Sequence, residues 1–251
     1  MGHLHYVVRD VEANARFWVA LGGDARTVGD TVVVTFPDVL VLLDEGESSG
    51  GTEGSILNHM AFRVQSLDDI AAAGLALERL GSAGGIANVF SPGGERIELF
   101  DETATNLTFT RADGGADPVT RRHNERLVGP IRAHHLHLYL LEDAVAEAQR
   151  WYASLFGGVS GLRWRYDAVD LPGINFNFSH NPDGGGAPTR GRMLDHIGFE
   201  VENLERFCRA LEAQGVTFDV PYRRSPAGIG HALLTDPWGT SIALTEGLRD
   251  F

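Results

Sequence analysis

Apolar and polar residues alternate in four short runs along the chain, and each run opens on a histidine. HLHYVV starts at His3, HMAFRV at His59, HLHLYL at His135 and HIGFEV at His196. Side chains alternate across a strand, so Met60, Phe62 and Val64 share one face while His59, Ala61 and Arg63 share the other. In the same way Leu136, Leu138 and Leu140 oppose His135, His137 and Tyr139, and Ile197, Phe199 and Val201 oppose His196, Gly198 and Glu200. The apolar face is expected to pack on a helix, and the histidine face to look into a cavity. Seven residues after each histidine stands an acidic or cap-type residue: Asp10, Ser66, Glu142 and Asn203. Helix-like patterns follow, namely VEANARFWVALGG, LDDIAAAGLALERLG, DAVAEAQRWYASLFGG and LERFCRALEAQG.

Asp10, Ser66 and Asn203 are N-cap types, and Ser66 with Asp69 fits a capping box. Gly22, Gly81, Gly157 and Gly215 close the helical patterns as C-cap candidates. Short β-rich runs come next: TVVVTF with VLVLLDE, NVFS with RIELFDE, RWRYDAVDL with INFNFSH, and HALLTD with TSIALTE. Turn clusters such as SPGGE and DPWGT separate them. The chain therefore reads as one βαβββ unit written four times, its histidines 56, 76 and 61 residues apart. The long middle interval holds a polar stretch with GGADP and RRHNER. The expected division is a first pair of units over 1–110, a linker over 111–132 and a second pair over 133–251. The predicted class is α+β, with four βαβββ modules paired into two domains.

A length of 251 residues suits one large or two modest domains with ample core. No apolar stretch approaches the roughly 18 residues of a membrane span. The N-terminus enters a strand without the basic region of a signal peptide, so a cytoplasmic protein is expected. The net charge of −13 opposes phosphate binding and argues against nucleic acid as a partner. Cys208, alone within a helical pattern, reads as a buried small hydrophobe. Trp18, Trp151 and Tyr152 sit in helical patterns and read as core. The GGG at 184–186 lacks the strand-then-helix setting of a phosphate loop.

These units resemble the vicinal-oxygen-chelate superfamily, which includes glyoxalase I, extradiol ring-cleavage dioxygenases, methylmalonyl-CoA epimerase and bleomycin- or fosfomycin-resistance proteins. The likeness rests on the strand-borne histidine seven residues before its cap, on ARFWVALGG and QRWYASLFGG, and on SPGGERIEL and DPWGTSIAL. It covers nearly the whole chain outside the linker. It implies glyoxalase- or extradiol-dioxygenase-like domains, with metal ligands on the first strand of each unit in a pair and a glutamate on the last strand. Carried over, the first half supplies His3, His59 and Glu98, two imidazoles and a carboxylate that leave open positions on Fe(II) or Mn(II). The fourth ligand position of glyoxalase I falls on apolar residues near Leu40 or Val41. The second half supplies His135 and His196, but the glutamate position is Ala243, which makes this pair a relic or an alternative site. Glu246 belongs to the opposite face of its strand and is not counted as a ligand.

His180 and His231 are the acid–base candidates that the resemblance implies. His5, His137, Tyr139, Phe176, Phe178 and Tyr222 are the candidate pocket residues, with Trp164, Tyr166 and Trp238 as further aromatics. Arg223 and Arg224 offer a carboxylate contact or a solvated pair. The function implied is a divalent-metal-dependent enzyme acting on a small aromatic or vicinal-dioxygen substrate in the manner of an extradiol dioxygenase. Fe(II) is the leading ion, with Mn(II), Zn(II) and Ni(II) as alternatives. A metal-dependent isomerase or lyase of the glyoxalase type is the second reading, and a non-catalytic small-molecule-binding protein the third. The expected partner is a small-molecule substrate, with neither nucleic acid nor membrane. A monomer or homodimer is expected, because one chain already holds two pairs of units.

Overall fold

A computed structural model describes residues 1–81, 84–104, 107–115, 125–181 and 184–250. The first unit runs β1 (His3–Val8), α1 (Val11–Ala20), β2 (Asp24–Val28), β3 (Thr31–Thr35) and β4 (Leu40–Glu45). The second runs β5 (Leu57–Val64), α2 (Leu67–Ala72), β6 (Glu78–Arg79), β7 (Ile86–Phe90) and β8 (Arg96–Phe100), followed by a short strand, β9 (Phe109–Arg111). The third holds β10 (Ile131–Leu140), α3 (Val145–Phe156), β11 (Val159–Arg163), β12 (Tyr166–Leu171) and β13 (Ile174–His180). The fourth holds β14 (Leu194–Glu200), α4 (Leu204–Glu212), β15 (Phe218–Arg224), β16 (Gly230–Thr235) and β17 (Ser241–Glu246). Residues 116–124 of the expected linker lie outside the described residues. Among the described residues no helix is long and apolar enough to cross a membrane.

Caps follow the sequence at two helices and depart from it at two places. Asp10 Oδ1 accepts the Ala13 N–H at 2.8 Å, and Ser66 Oγ accepts that of Asp69 at 3.2 Å. Asn203 sits in the left-handed region (φ 54°) and makes no side-chain cap; its own N–H donates to Glu246 Oε1 at 2.9 Å. The second helix is far shorter than its pattern predicts. It stops at Ala72, and Gly74 (φ +96°) turns the chain out of it, so Gly81 is not its C-cap. Leu75 and Leu77 beyond this point recur every second residue, a strand period, and β6 follows directly.

Two mixed sheets form, and each takes strands from both sides of the expected linker at 111–132. One has the order β15-β16-β17-β14-β1-β4-β3-β2, the other β6-β7-β8-β5-β10-β13-β12-β11-β9. The first unit thus pairs with the fourth, and the second with the third. In every unit the first strand has its own last strand alongside in parallel: β1 with β4, β5 with β8, β10 with β13, β14 with β17. Its other edge is open, and exposed backbone donors and acceptors must find a strand. All four first strands carry the same alternation, so the hydrophobic pattern leaves the partner undetermined. β1 meets β14 and β5 meets β10, both antiparallel.

The apolar faces share one core that includes α1 and α3. Trp18 of α1 packs on Tyr6 and Phe36 of its own unit and reaches Phe62 of the other sheet, 6.2 Å between ring centroids. From α3, Tyr152 packs on Phe176, and Phe156 stacks on Phe199 of the other sheet at 5.0 Å. Burial of such side chains stabilises by about 1.5–3 kcal/mol each. Phe176 and Phe178, expected in a ligand pocket, are 0% and 2% exposed in this core. They occupy the face of β13 opposite to Asn175 and Asn177. The histidine faces turn away from the core.

Candidate metal centre

In the larger sheet the strand order β8-β5-β10-β13 sets four histidine-bearing or polar faces side by side. Register fixes what meets: Glu98 stands beside Ala61, His135 across from Ala61, His59 across from His137, and Asn177 beside His137. Glu98 Oε2 lies 3.7 Å from His59 Nε2 and 3.6 Å from His135 Nε2. Ligand nitrogens of His59, His135 and His137 all lie within 4.8 Å of one another. Two imidazoles and one carboxylate thus converge from the second and third units.

Irregularities in the ladder aim these rings. On β5 the register skips Asn58, and on β10 it skips His134, so each is the extra residue of a bulge. Asn58 Oδ1 stands 2.8 Å from His59 Nδ1, and His134 Nδ1 2.8 Å from His135 Nδ1. When His59 Nδ1–H donates a hydrogen bond to Asn58 Oδ1, Nε2 is left as a lone pair directed at Glu98, the usual outer support of a metal-bound imidazole. The Arg96 guanidinium, 2.7 Å from the same Nδ1, favours the opposite tautomer in the absence of an ion. Burial lowers the His59 pKa, against the pull of the nearby Glu98 carboxylate. Burial, with His59 and Arg96 nearby, holds His137 well below the usual imidazole range. Both rings are therefore neutral near pH 7, the form that binds a cation.

A cavity of about 320 Å³ opens onto this cluster. Arg96, Tyr139, Trp164, Tyr166 and Asn177 line it with apolar Leu80, Ile86 and Leu107. The Glu98 side chain keeps 22% exposure, so the carboxylate is reachable from the cavity. His59 Nε2 and Asn177 Oδ1 are buried without a hydrogen-bond partner. Orphaned polar atoms beside a carboxylate suit a divalent cation, and the donor set fits one. Trp164 forms part of the mouth. It lies in the β11–β12 turn at φ 53°, 51% exposed, with the Arg165 guanidinium 4.3 Å from its ring centroid. A bulky residue in that conformation is strained, which fits a functional position.

The family model described as Glyoxalase/Bleomycin resistance protein/Dioxygenase superfamily matches residues 132–244. The matched segment belongs to that superfamily. It spans the third and fourth units, which lie in different sheets. Among solved structures, glyoxalase I from Zea mays is similar at 15% identity and a TM-score of 0.68, over 97% of this chain and 91% of that one. A candidate dioxygenase from Bacillus subtilis subsp. subtilis str. 168 is similar at 12% identity and a TM-score of 0.65, over 97% of this chain and 84% of that one. At such identities the likeness carries the glyoxalase-like fold alone. No curated protein matches the sequence.

The superfamily pattern assigned His3, His59 and Glu98 to one centre, and the sheet pairing separates them. His3 lies in the smaller sheet, its ring against Gly198, where an added Cβ would stand 2.1 Å from the imidazole. His196 is there as well, edge-on to His3 with ring centroids 5.4 Å apart, so His135 and His196 are likewise apart. The physical reason is the open-edge pairing described above, which joins the second unit to the third. Register also locates the positions equivalent to Glu98: Leu42 in the first unit, Asn177 in the third and Ala243 in the fourth. The aligned position in the first unit is therefore Leu42 rather than Leu40 or Val41.

His137 and Tyr139 line the cavity by the cluster, whereas His5, His231 and Tyr222 belong to the smaller sheet. Tyr222 Oη accepts from Arg224 Nε at 3.4 Å. His180 is exposed at the end of β13, in a separate depression with Arg165 and Ser179. Glu246 is held by Arg224 at 2.7 Å, away from any histidine cluster. Sequence reasoning missed Asn177 and Arg96. Asn177 was findable by laying INFNF over RIELF, strand against strand; Arg96 had no signal, since its reach depends on β8 lying next to β5.

Proposed function

We propose that this protein is a divalent-metal-dependent enzyme of the vicinal-oxygen-chelate type, extradiol-dioxygenase-like, acting on a small aromatic or vicinal-dioxygen substrate. The observation that carries the reading is the convergence of His59, His135 and Glu98 on a cavity walled in part by aromatic and aliphatic side chains. These three would hold the ion, with Fe(II) the leading choice because two imidazoles and one carboxylate leave positions open. When bound, the ion supplies Lewis acidity toward two adjacent substrate oxygens and, as Fe(II), oxygen activation.

The chain's own residues do the rest. Trp164 and Tyr166, edge-on to each other with ring centroids 5.8 Å apart, give a flat substrate an aromatic wall at the mouth, while Leu80, Ile86 and Leu107 exclude water from it. Arg96 offers a fixed positive charge to a developing oxyanion. His137 is hydrogen bonded through Nε2 to Ser179 Oγ at 2.8 Å, which leaves Nδ1 to take a proton from a substrate hydroxyl. Asn177 Oδ1, buried and unpartnered, receives a hydrogen bond from the substrate.

Oxygen uptake with catechol-type substrates, after anaerobic loading with Fe(II), tests the reading. The wild type is expected to consume oxygen, His137→Ala to slow about 10²–10⁴-fold while keeping its metal, and His59→Ala to lose both. Negligible metal in wild type and His59→Ala alike would overturn it. Asn177 favours a second reading, because it occupies the place of the additional ligand in a glyoxalase-type isomerase. Turnover of a carbonyl substrate with equal rate in the absence of oxygen would select that alternative.

A further inference from the structure

The smaller sheet carries a second cluster of titratable groups that the proposed reaction does not use. His5 Nε2 is 2.8 Å from Asp44 Oδ2, and Asp44 Oδ1 accepts from Thr31 Oγ1 at 2.6 Å. A carboxylate at that distance accepts a hydrogen bond from Nε2–H, so the Nδ1 nitrogen of a neutral His5 is a bare lone pair. That Nδ1 points at His196 Nδ1, 3.2 Å away. The same His196 nitrogen is 2.8 Å from Asp195 Oδ1, while Asp195 Oδ2 accepts the Gly191 N–H at 2.7 Å. Two acceptors therefore face one nitrogen that carries at most one proton. A proton on His196 Nδ1 serves Asp195 or His5, not both.

We propose that His5 Nδ1, His196 Nδ1 and Asp195 Oδ1 form a second divalent-cation site, of the zinc or cobalt class, with Asp44 and Thr31 as its outer support. The spacing fits. Ligand atoms bound to one ion at about 2.1 Å stand about 3.0–3.4 Å apart, against 3.2 and 2.8 Å here, and all three lie within 4.8 Å of one another. Asp195 reaches this place because the register between β1 and β14 skips it: His5 faces His196, and the next pair is Tyr6 with Leu194. It is the extra residue of a bulge, re-aimed to the side of His196. The residues in the corresponding bulges of the second and third units are Asn58 and His134, so a carboxylate stands here alone among the three. Two carboxylates flank the imidazole pair, with Arg190 the cation whose charge reaches His196. Side-chain exposures of 14–40% leave the group accessible to an ion from solvent.

This site differs in kind from the His59 centre. The strand positions that match Glu98 are Leu42 and Ala243, so no glutamate serves it, and none of the cavities above the larger sheet opens on it. The ion would tie the first unit to the fourth, across β1 and β14, and stabilise the fold rather than turn over substrate.

Zinc binding by equilibrium dialysis of the full chain, with thermal unfolding alongside, tests the proposal. Wild type is expected to hold two ions per chain, and His59→Ala and His196→Ala one each. Asp195→Asn, close in shape and kept as a second variant against misfolding of His196→Ala, is expected to weaken the second ion about tenfold or more. In the His59→Ala background zinc is expected to raise Tm, and Asp195→Asn to abolish that rise at the same concentration. One ion in wild type that is lost in His59→Ala and unaffected by Asp195→Asn and His196→Ala would overturn the proposal and leave Asp195 as an orienting partner of His196. One ion kept in His59→Ala and lost in His196→Ala would support it while removing the catalytic reading of the larger sheet. No bound zinc in any form would remove both.

Discussion

The residue before a strand-opening histidine sets where that histidine aims. Asn58, His134 and Asp195 each sit in a bulge, and each stands 2.8 Å from the Nδ1 of the histidine that follows. In the sequence these residues look like ordinary strand entries, and alternation assigns them to the wrong face. The histidines themselves and the apolar face behind them were legible from period alone. The bulge was not, because it depends on the partner strand. A buried acid shows a similar dependence. Glu95, in the turn between β7 and β8, is 3% exposed and accepts from Thr52 Oγ1 at 2.7 Å. Burial pushes its pKa up to about 7 from an ordinary 4.5. The unfolded chain then gives up this proton first, so stability is lost as pH rises from about 4.5 to about 7 and is level above. Urea denaturation of wild type and Glu95→Gln across pH 4.5–8 is expected to show a gap widening toward high pH by about 3 kcal/mol. Parallel curves would contradict this.

At the scale of elements, α1 and α3 join two sheets as well as completing their own units. Tyr152 of α3 donates to Asp236 Oδ2 at 2.6 Å, in the turn before β17 of the other sheet. The other carboxylate oxygen accepts the backbone N–H groups of Trp238, Gly239 and Thr240. Tyr152→Phe removes one donor from a buried carboxylate and is expected to cost about 1–3 kcal/mol, with Tm falling about 2–4 °C per kcal/mol. Zinc or iron binding at the larger sheet is expected to persist. An unchanged Tm would contradict the role of this contact. The helices also show where pattern reading succeeds and fails. Asp10 and Ser66 cap as their types predict, while Asn203 is displaced from capping by its left-handed backbone. The second helical pattern gives way to β6 because a strand edge at β7 was available to it.

For the whole molecule, four repeats say how many units there are but not which ones meet. The candidate centre at His59, His135 and Glu98 lies across the middle of the chain, between units that sequence order assigns to different halves. No inspection of either half alone assembles it. The same pairing predicts that the fragments 1–110 and 133–251 are each poorly folded alone, since each holds first strands whose partner edges lie in the other. Mixed or co-expressed, they are expected to combine one to one and regain cooperative unfolding. Independent cooperative folding of fragment 1–110 would contradict the pairing.

The most direct test of the metal centre is anomalous diffraction from crystals of the full chain grown with Fe(II) or Mn(II) under anaerobic conditions. The expected result is a peak bounded by His59 Nε2, His135 Nε2 and Glu98 Oε2, with Asn177 beside it. A fully loaded crystal with no peak there, or with its ion held by His3 instead, would contradict the account.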